Sequence, residues 1–320
     1  MIQYSETEFL KQIGRYDTAI FAYMEEVGAS KGNRSIIGEL FNRQKVDEQS
    51  VAITGTTGHS DLKPHNGTRN YEDVQEWYTK RVEFHEFSQT ESFGRTYLDD
   101  NKLMSVDVKN RGASMMNAAY RTQENFAAAI FTNADQSSFT KDGKSYNWTL
   151  AADSVAVASA SHTSITGRCG TLDNTDTNAL DGDNLEAGII AMGAYQDDNG
   201  NQGTYFANTL VVGLENRKTA LELINSDGKP KVNNNEYNIY EGDMRLIVWN
   251  RFKAQSGKSA YPWTLMDIEA AKENLFFFDR INPEITDYRN WQTMSWDIGV
   301  YCRFTIMIYD WRWSYWGIPA

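Results

Sequence analysis

Residues 296–316 read WDIGVYCRFTIMIYDWRWSYW. Up to Tyr309 the stretch separates by parity. Trp296, Ile298, Val300, Cys302, Phe304, Ile306 and Ile308 fall on one side, and Asp297, Gly299, Tyr301, Arg303, Thr305, Met307 and Tyr309 on the other. A period of two marks a strand with one buried face. Fourteen alternating residues, thirteen steps of ~3.3 Å, span roughly 40 Å, whereas ordinary strands run about 5–6 residues. Such a strand needs a sheet or a partner of unusual length. Its alternate polar residues rule out a membrane helix, which requires ~18 or more consecutive apolar residues.

A companion of matching length lies upstream. Residues 104–132, MSVDVKNRGASMMNAAYRTQENFAAAIFT, place Met116, Tyr120, Phe126 or Ala127, and Ile130 on one helical face. At 1.5 Å per residue this helix is roughly 40 Å long, and a long helix packed along a long strand is a coherent pair. Asn133 and the polar string ADQSSFTKDGK close it. An earlier helix is predicted over 5–27, with Ser5 and Glu8 as a capping box and an end at Gly28. Residues 51–70, VAITGTTGHSDLKPHNGTRN, read as an exposed loop. In 74–98, Val82 and Phe84 alternate with Arg81, Glu83 and His85. Together these predict two extended arms joined by a flexible tip that projects from the body. Further on, residues 150–179 read as loop. Helices are predicted at 180–196 and 214–226, the latter with Leu214, Leu221 and Ile224 inward. Strands are predicted at 209–212, 236–240, 244–250 and 263–267. The fold class is α+β, with no fixed-period repeat.

Thirty-one basic against forty-three acidic residues give a formal charge of −12. That argues against a protein whose main task is gripping nucleic acid, which rests on Lys and Arg neutralising phosphates, but leaves room for a local basic patch. Cys169 and Cys302 are the only cysteines. They stand far apart and imply neither a disulfide framework nor a zinc site. The opening MIQYSETEF lacks the basic region and apolar core of a signal peptide, so the chain is expected in a reducing cytoplasm.

Candidate chemistry is thin. None of the four histidines, His59, His65, His85 and His162, forms the H-x-x-x-H pair that lets two imidazoles meet a metal. GKS at 257–259 lacks the glycine five residues earlier that a phosphate-binding loop needs, since position 252 is Phe. Asp99 with Asp100, Asp181 with Asp183, and Asp197 with Asp198 are close in sequence. Acid–base work needs a separation and an environment that only the fold can set. DGDN at 181–184 and DDNGN at 197–201 suit a calcium ion only loosely, and neither fits an EF-hand. The sequence therefore assigns no catalytic, cofactor or metal residues. The C-terminal tryptophans suit either a sugar-binding face or a core, and their strand alternation favours the core.

The order of elements resembles a known family. The long helix ends in FAAAIFTNA (126–134). SASHTSITGRCGTLDN (159–174), NALDGDNLEAGIIAM and NTLVVGLENRKTALELINSD (208–227) follow, before the long terminal strand. From about Ser5 to Gly317 this is similar to the major capsid proteins of tailed phages, with the Hong Kong 97-like fold, particularly Mu-type major head subunits. In those, the region matching 159–174 often carries His-Pro, and here Thr163 follows His162.

The resemblance implies an N-terminal arm (1–45) and an extended E-loop (46–100). It implies a peripheral domain (101–145 and 286–320) of spine helix plus terminal strand, and an inserted axial domain (146–285). It implies a structural, non-enzymatic protein that self-assembles as pentamers and hexamers into the icosahedral shell around a double-stranded DNA genome. The shell is assembled in the host cytoplasm and located in the virion, with no membrane partner. Expected partners are a separate scaffold protein, a portal, decoration proteins, and packaged DNA through weak non-specific contact. Trp77, Tyr78, Phe84 and Phe87 are the candidate interface anchors on the E-loop, since aromatics dominate interface energetics. The alternatives are a β-rich carbohydrate-active enzyme and another phage structural protein of tail or sheath.

Overall fold

A computed structural model describes residues 13, 17–32, 35–59, 61–67, 69–71, 76–100, 104–164, 166–226, 238–258 and 261–319. The chain opens with helices α1 (Asp17–Gly32) and α2 (Ile37–Leu40), then strands β1 (Asn42–Lys45), β2 (Ser50–Thr56), β3 (Glu76–Glu83) and β4 (His85–Gly94). Helices α3 (Arg95–Asp100) and α4 (Met104–Thr132) precede strands β5 (Ser138–Lys141), β6 (Lys144–Asn147) and β7 (Thr175–Asp176). Next come α5 (Gly182–Gly193), β8 (Thr209–Val212), α6 (Arg217–Ile224), β9 (Arg245–Val248) and β10 (Trp263–Met266). The chain closes with α7 (Ile268–Asn274), β11 (Leu275–Asn290), β12 (Ser295–Ile308) and β13 (Ser314–Gly317). The capping box predicted at Ser5 and Glu8 lies outside the described residues.

The alternating C-terminal stretch is β12, and its long partner is β11, a strand of 16 residues. The two pair antiparallel from Leu275–Ile308 to Asn290–Ser295. Two register shifts interrupt the ladder, and Pro283 falls in the second, between Ile281 and Glu284. Proline has no N–H to donate, so it sits where the ladder is already broken. With β1 and β4 on the flanks, these strands form a four-stranded sheet in the order β1-β11-β12-β4.

Helix α4 runs along β12 as the pattern predicts. Near its start, Val108, Met115 and Met116 pack with Trp296, Ile298 and Val300. Further on, Phe126 meets Phe304 at 5.5 Å between ring centroids. Helix α1 lies against α4 through two glycines. A Cβ at Gly28 would fall 2.7 Å from Met116 Cε, and one at Gly112 would fall 2.5 Å from Met24 Sδ. Gly28 therefore does not end the helix as predicted. It lets the two backbones approach, and the helix continues to Gly32.

A second sheet, in the order β7-β13-β10-β8-β9, carries α5 and α6. After Ile308 the chain turns through 309–313, and β13 crosses into this sheet to pair with β10. Phe131 at the end of α4 ties the two regions together, with Trp249, Phe252 and Trp316 at 5.3, 5.9 and 5.4 Å. One core cluster thus runs from the long sheet into the second sheet. The expected boundary at 285/286 falls inside the continuous strand β11, and residues 314–317 belong to the second sheet rather than the first.

Three local expectations are corrected. The polar string after α4 contains the β5–β6 hairpin. Its turn residues Asp142 and Gly143 have φ of 51° and 79°, the left-handed pair of a type I′ turn. Residues 238–243 form turns where a strand was expected over 236–240, and 236–237 lie outside the described residues. Leu214 precedes α6 and is exposed, so that helix buries Ala220, Leu223 and Ile224 instead.

Candidate assembly surfaces

Strands β2 and β3 form an antiparallel ribbon, with Ser50 opposite Glu83 at its base and Thr56 opposite Glu76 at its far end. Few residues on it are buried, so the ribbon is held by backbone pairing and side-chain links. The Thr54 and Thr79 hydroxyls lie 2.7 Å apart, and Arg81 Nε donates to Ser50 Oγ at 2.7 Å. A two-stranded ribbon on its own is marginal in water. This one is rooted by a small cluster in which Phe84 packs with Phe278 and Met307. Beyond the ribbon, residues 61–67 and 69–71 are exposed throughout. Leu62 is fully exposed and Tyr71 is 90% exposed.

The four predicted anchors separate. Tyr78 is on β3, 38% exposed. Trp77 is also on β3, and its side chain lies outside the described residues. Phe84 and Phe87 point into the chain's own core. Phe84 is buried in the ribbon's root, and Phe87 stacks on Phe304 at 4.8 Å. The reason is topological. The predicted arm 74–98 breaks at Phe84 into ribbon strand β3 and sheet strand β4, and β4 pairs with β12 from His85–Phe304 to Gly94–Ser295.

The ribbon also does not stand clear of the body. Lys80 Nζ donates to the Thr149 carbonyl, and Asn199 Nδ2 donates to the Gly58 carbonyl. Burial lowers the Lys80 ammonium to about 8.

A second set of exposed apolar residues lies on α5 and in the loops around the other sheet: Ile190 on α5, and Phe206, Leu214 and Ile239 outside the helices and strands. Sequence reading missed it, although Ile190 lies off the buried face of α5 marked by Leu185, Gly188 and Met192.

Buried polar networks tie the 153–174 and 196–198 loops to residues 310–314. Arg312 Nη2 bonds Asp198 Oδ1 at 3.0 Å, its Nη1 bonds Asp310 Oδ2 at 2.6 Å, and its Nε donates to the Gln196 carbonyl at 2.8 Å. Burial pushes the Asp198 carboxyl up from its usual range, and the Arg312 guanidinium opposes that rise. His162 stacks on Trp311 at 4.3 Å. Its Nδ1 lies 2.6 Å from Asp153 Oδ2, and its Nε2 lies 3.1 Å from Asn174 Oδ1.

The candidate chemistry resolves into structure. Asp181 caps α5 by accepting from Asn184 N at 2.8 Å. Asp197 accepts from Asn199 N and Asn201 N at 2.9 and 2.8 Å, closing its own loop. Asp99's side chain lies outside the described residues. Among the described residues no group of three or more His, Cys, Asp or Glu is placed to hold a metal, and no helix is long and apolar enough to cross a membrane. His59 and His65 are exposed beyond the ribbon. His85 is wedged against Tyr146, and burial, then Lys144, lowers it to about 4. Gly257 and Lys258 lie in a turn, with Lys258 Nζ 3.6 Å from Asp135. Trp296, Trp311, Trp313 and Trp316 are all buried, so none offers a ring face to a sugar.

Known proteins resemble this arrangement. A family model described as phage capsid protein matches residues 88–317. The mature capsid of bacteriophage PhiM1 aligns with a TM-score of 0.58 at 13% identity, over 89% of this chain and 87% of that one. A structure of Mycobacterium phage Patience aligns with a TM-score of 0.57 at 9% identity, over 95% and 88%. The capsid of cyanophage P-SCSP1u aligns with a TM-score of 0.55 at 11% identity, over 89% and 88%. No curated protein sequence matches the chain. At such identities the structural likeness carries the fold, and the family model, which spans well over half of the sequence, carries the membership: the chain belongs to the phage capsid protein family and has the Hong Kong 97-like fold.

Proposed function

We propose that this chain is the major capsid protein of a tailed phage. Its copies tile as pentamers and hexamers into an icosahedral shell around double-stranded DNA. The family match over residues 88–317 is the observation that carries this reading. The protein is a virion component whose function is complementary burial rather than catalysis. One contact between copies is weak, but a closed shell makes each copy satisfy several at once, and effective concentration multiplies modest affinities. Head-to-tail contacts whose rotation closes give rings, as pentamers and hexamers require.

In this reading the ribbon and the residues beyond it reach a neighbouring copy. Trp77 and Tyr78 are the anchors, while Phe84 and Phe87 fix the ribbon's root and so its aim. Exposed Leu62 and Tyr71 support an outside partner for the region beyond the ribbon, because none of the described residues covers them. The spine helix α4 with the β11–β12 sheet forms the peripheral part. The second sheet with α5 and α6 forms the axial part, with Ile190, Phe206 and Ile239 facing other copies. A separate scaffold protein, a portal and decoration proteins complete the set of partners, and assembly takes place in the host cytoplasm.

Electron microscopy of the protein expressed alone and beside its scaffold tests this. Hollow particles of uniform diameter are expected. Dispersed subunits under both conditions would overturn the reading.

A further inference from the structure

An open groove of about 550 Å³ runs between the end of α1, helix α4 and the segment after β9. Three cations line it: Lys31 in the last turn of α1, Arg121 on α4, and Arg251. Among the described residues none of the three is ion-paired with a carboxylate. The groove's one acid, Glu124, is already engaged. Its Oε1 accepts from Ser35 Oγ and from Ile36 N at 3.1 Å, and its Oε2 accepts from Trp249 Nε1 at 3.2 Å. Asn117 and Asn250 supply carboxamides to the same groove. Asn117 Oδ1 is buried with no hydrogen-bond partner among the described residues, and a half-turn of that carboxamide presents its NH₂ there instead.

Such a cluster stands out on a chain whose formal charge is −12. Arg251 Nη1 donates to the neutral Asn125 Oδ1 at 2.5 Å, which leaves its charge uncompensated, and three cations without a carboxylate partner, flanked by amide donors, suit phosphate oxygens, which take contacts from Arg, Lys and Asn alike. Protein partners are anchored by exposed aromatic or apolar residues; of the groove's two aromatics, Trp249 is fully buried and half-buried Tyr120 packs its ring against Gly28 and Gly32 of α1. Nucleic-acid interfaces are polar and positive.

We propose that this groove is where the subunit touches the phosphate backbone of duplex DNA, with Lys31, Arg121 and Arg251 as the contacting cations. The proposal rests on the capsid reading and localises contact with packaged DNA to one groove of a net-acidic chain.

The test is fluorescence anisotropy of a short fluorescein-labelled duplex with the full chain, as salt rises from about 50 to 200 mM. Three neutralised phosphates predict a log–log slope of about −2.7, a loss of about 40-fold across that range. Arg121→Gln with Arg251→Gln leaves one contact, a slope of about −0.9 and a loss of about 3- to 4-fold. Arg121→Lys with Arg251→Lys restores the slope, and Lys218→Gln, on the exposed face of α6, leaves it unchanged. No duplex binding at the lowest salt, or an unchanged slope in the double glutamine variant, overturns the assignment. Binding of a polyglutamate peptide with the same residue dependence, in place of the duplex, gives the groove to an acidic protein partner and also overturns it. Particle formation is scored separately by microscopy. Shells with an unaltered slope sink the groove alone, and absence of shells from the wild type sinks the capsid reading alone.

Discussion

Replacing Arg312 by methionine should cost more than any surface change in this protein. The Arg312 side chain is 4% exposed, and its guanidinium sits between Asp198 and Asp310, whose side chains are 5% and 10% exposed. It also covers Trp311, with Cζ 5.2 Å from the ring centroid, and fixes the 196–198 loop through the Gln196 carbonyl. Arg312→Met retains the apolar stem but leaves two buried carboxylates without their cation. Breaking a buried pair in this way costs about 3–5 kcal/mol.

The loss must depend on pH, and the sign is fixed. Burial already raises the Asp198 carboxyl above its unfolded value, with Arg312 pulling the other way. Without Arg312 it rises further. A group with a raised folded value contributes stability below its unfolded value and loses it as pH climbs through the folded one. The variant should therefore be closer to wild type at pH 5 than at pH 8. Urea denaturation of dispersed subunits, followed by the fluorescence of the buried tryptophans, measures both effects. Asp198→Asn with Asp310→Asn in the Arg312→Met background should recover a large part of the loss, since neutralising a whole buried triad is often tolerated. A loss below about 1 kcal/mol, or one equal at the two pH values, would refute the reasoning.

Other outcomes follow from the same packing. Trp77→Ser with Tyr78→Ser should leave a folded subunit, by circular dichroism, that forms no closed particles; normal particles would remove β3 from the interface. Gly317→Ala should destabilise by about 1–3 kcal/mol or more, because the new Cβ would fall 2.0 Å from Trp263 Nε1 in a fully buried ring; a wild-type urea midpoint would contradict this. Cys169 and Cys302 are both buried, and burial, then Asp279, pushes the Cys302 thiol up to about 12. Neither should react with maleimide at pH 8 until urea unfolds the chain, and labelling of the native protein would count against the packing. Phe126→Ala should cost about 3–5 kcal/mol, since that ring joins α4 to Phe304, Tyr146 and Phe87.

The longest elements were the most legible, because period signals accumulate with length. Helix α4 runs from Met104 to Thr132 as the pattern predicts, and β12 covers the alternating stretch. Its partner β11 was missed. The run FFF has no alternation to read, and Pro283 breaks the pattern where the ladder itself shifts register. The β5–β6 hairpin carried a readable signal in Asp142–Gly143 that the surrounding polar residues obscured. Gly28 looked like a helix end because a glycine's role in close helix packing is invisible without the facing Met116.

The assembly surface was half legible. Exposure beyond the ribbon follows from its polar, glycine-rich composition. Which aromatics point outward depends on where the arm divides, and Phe84 and Phe87 fall on the inward side of that division. The Arg312 network joins residues 114 positions apart, and no local pattern announces it.

Sedimentation velocity of the purified protein, with and without its scaffold, decides whether the copies close into a shell. A shell-forming subunit gives a boundary corresponding to hundreds of copies of this 36.4 kDa chain, abolished in Trp77→Ser with Tyr78→Ser. A single slow boundary at subunit mass under every crowding and scaffold condition would contradict shell formation.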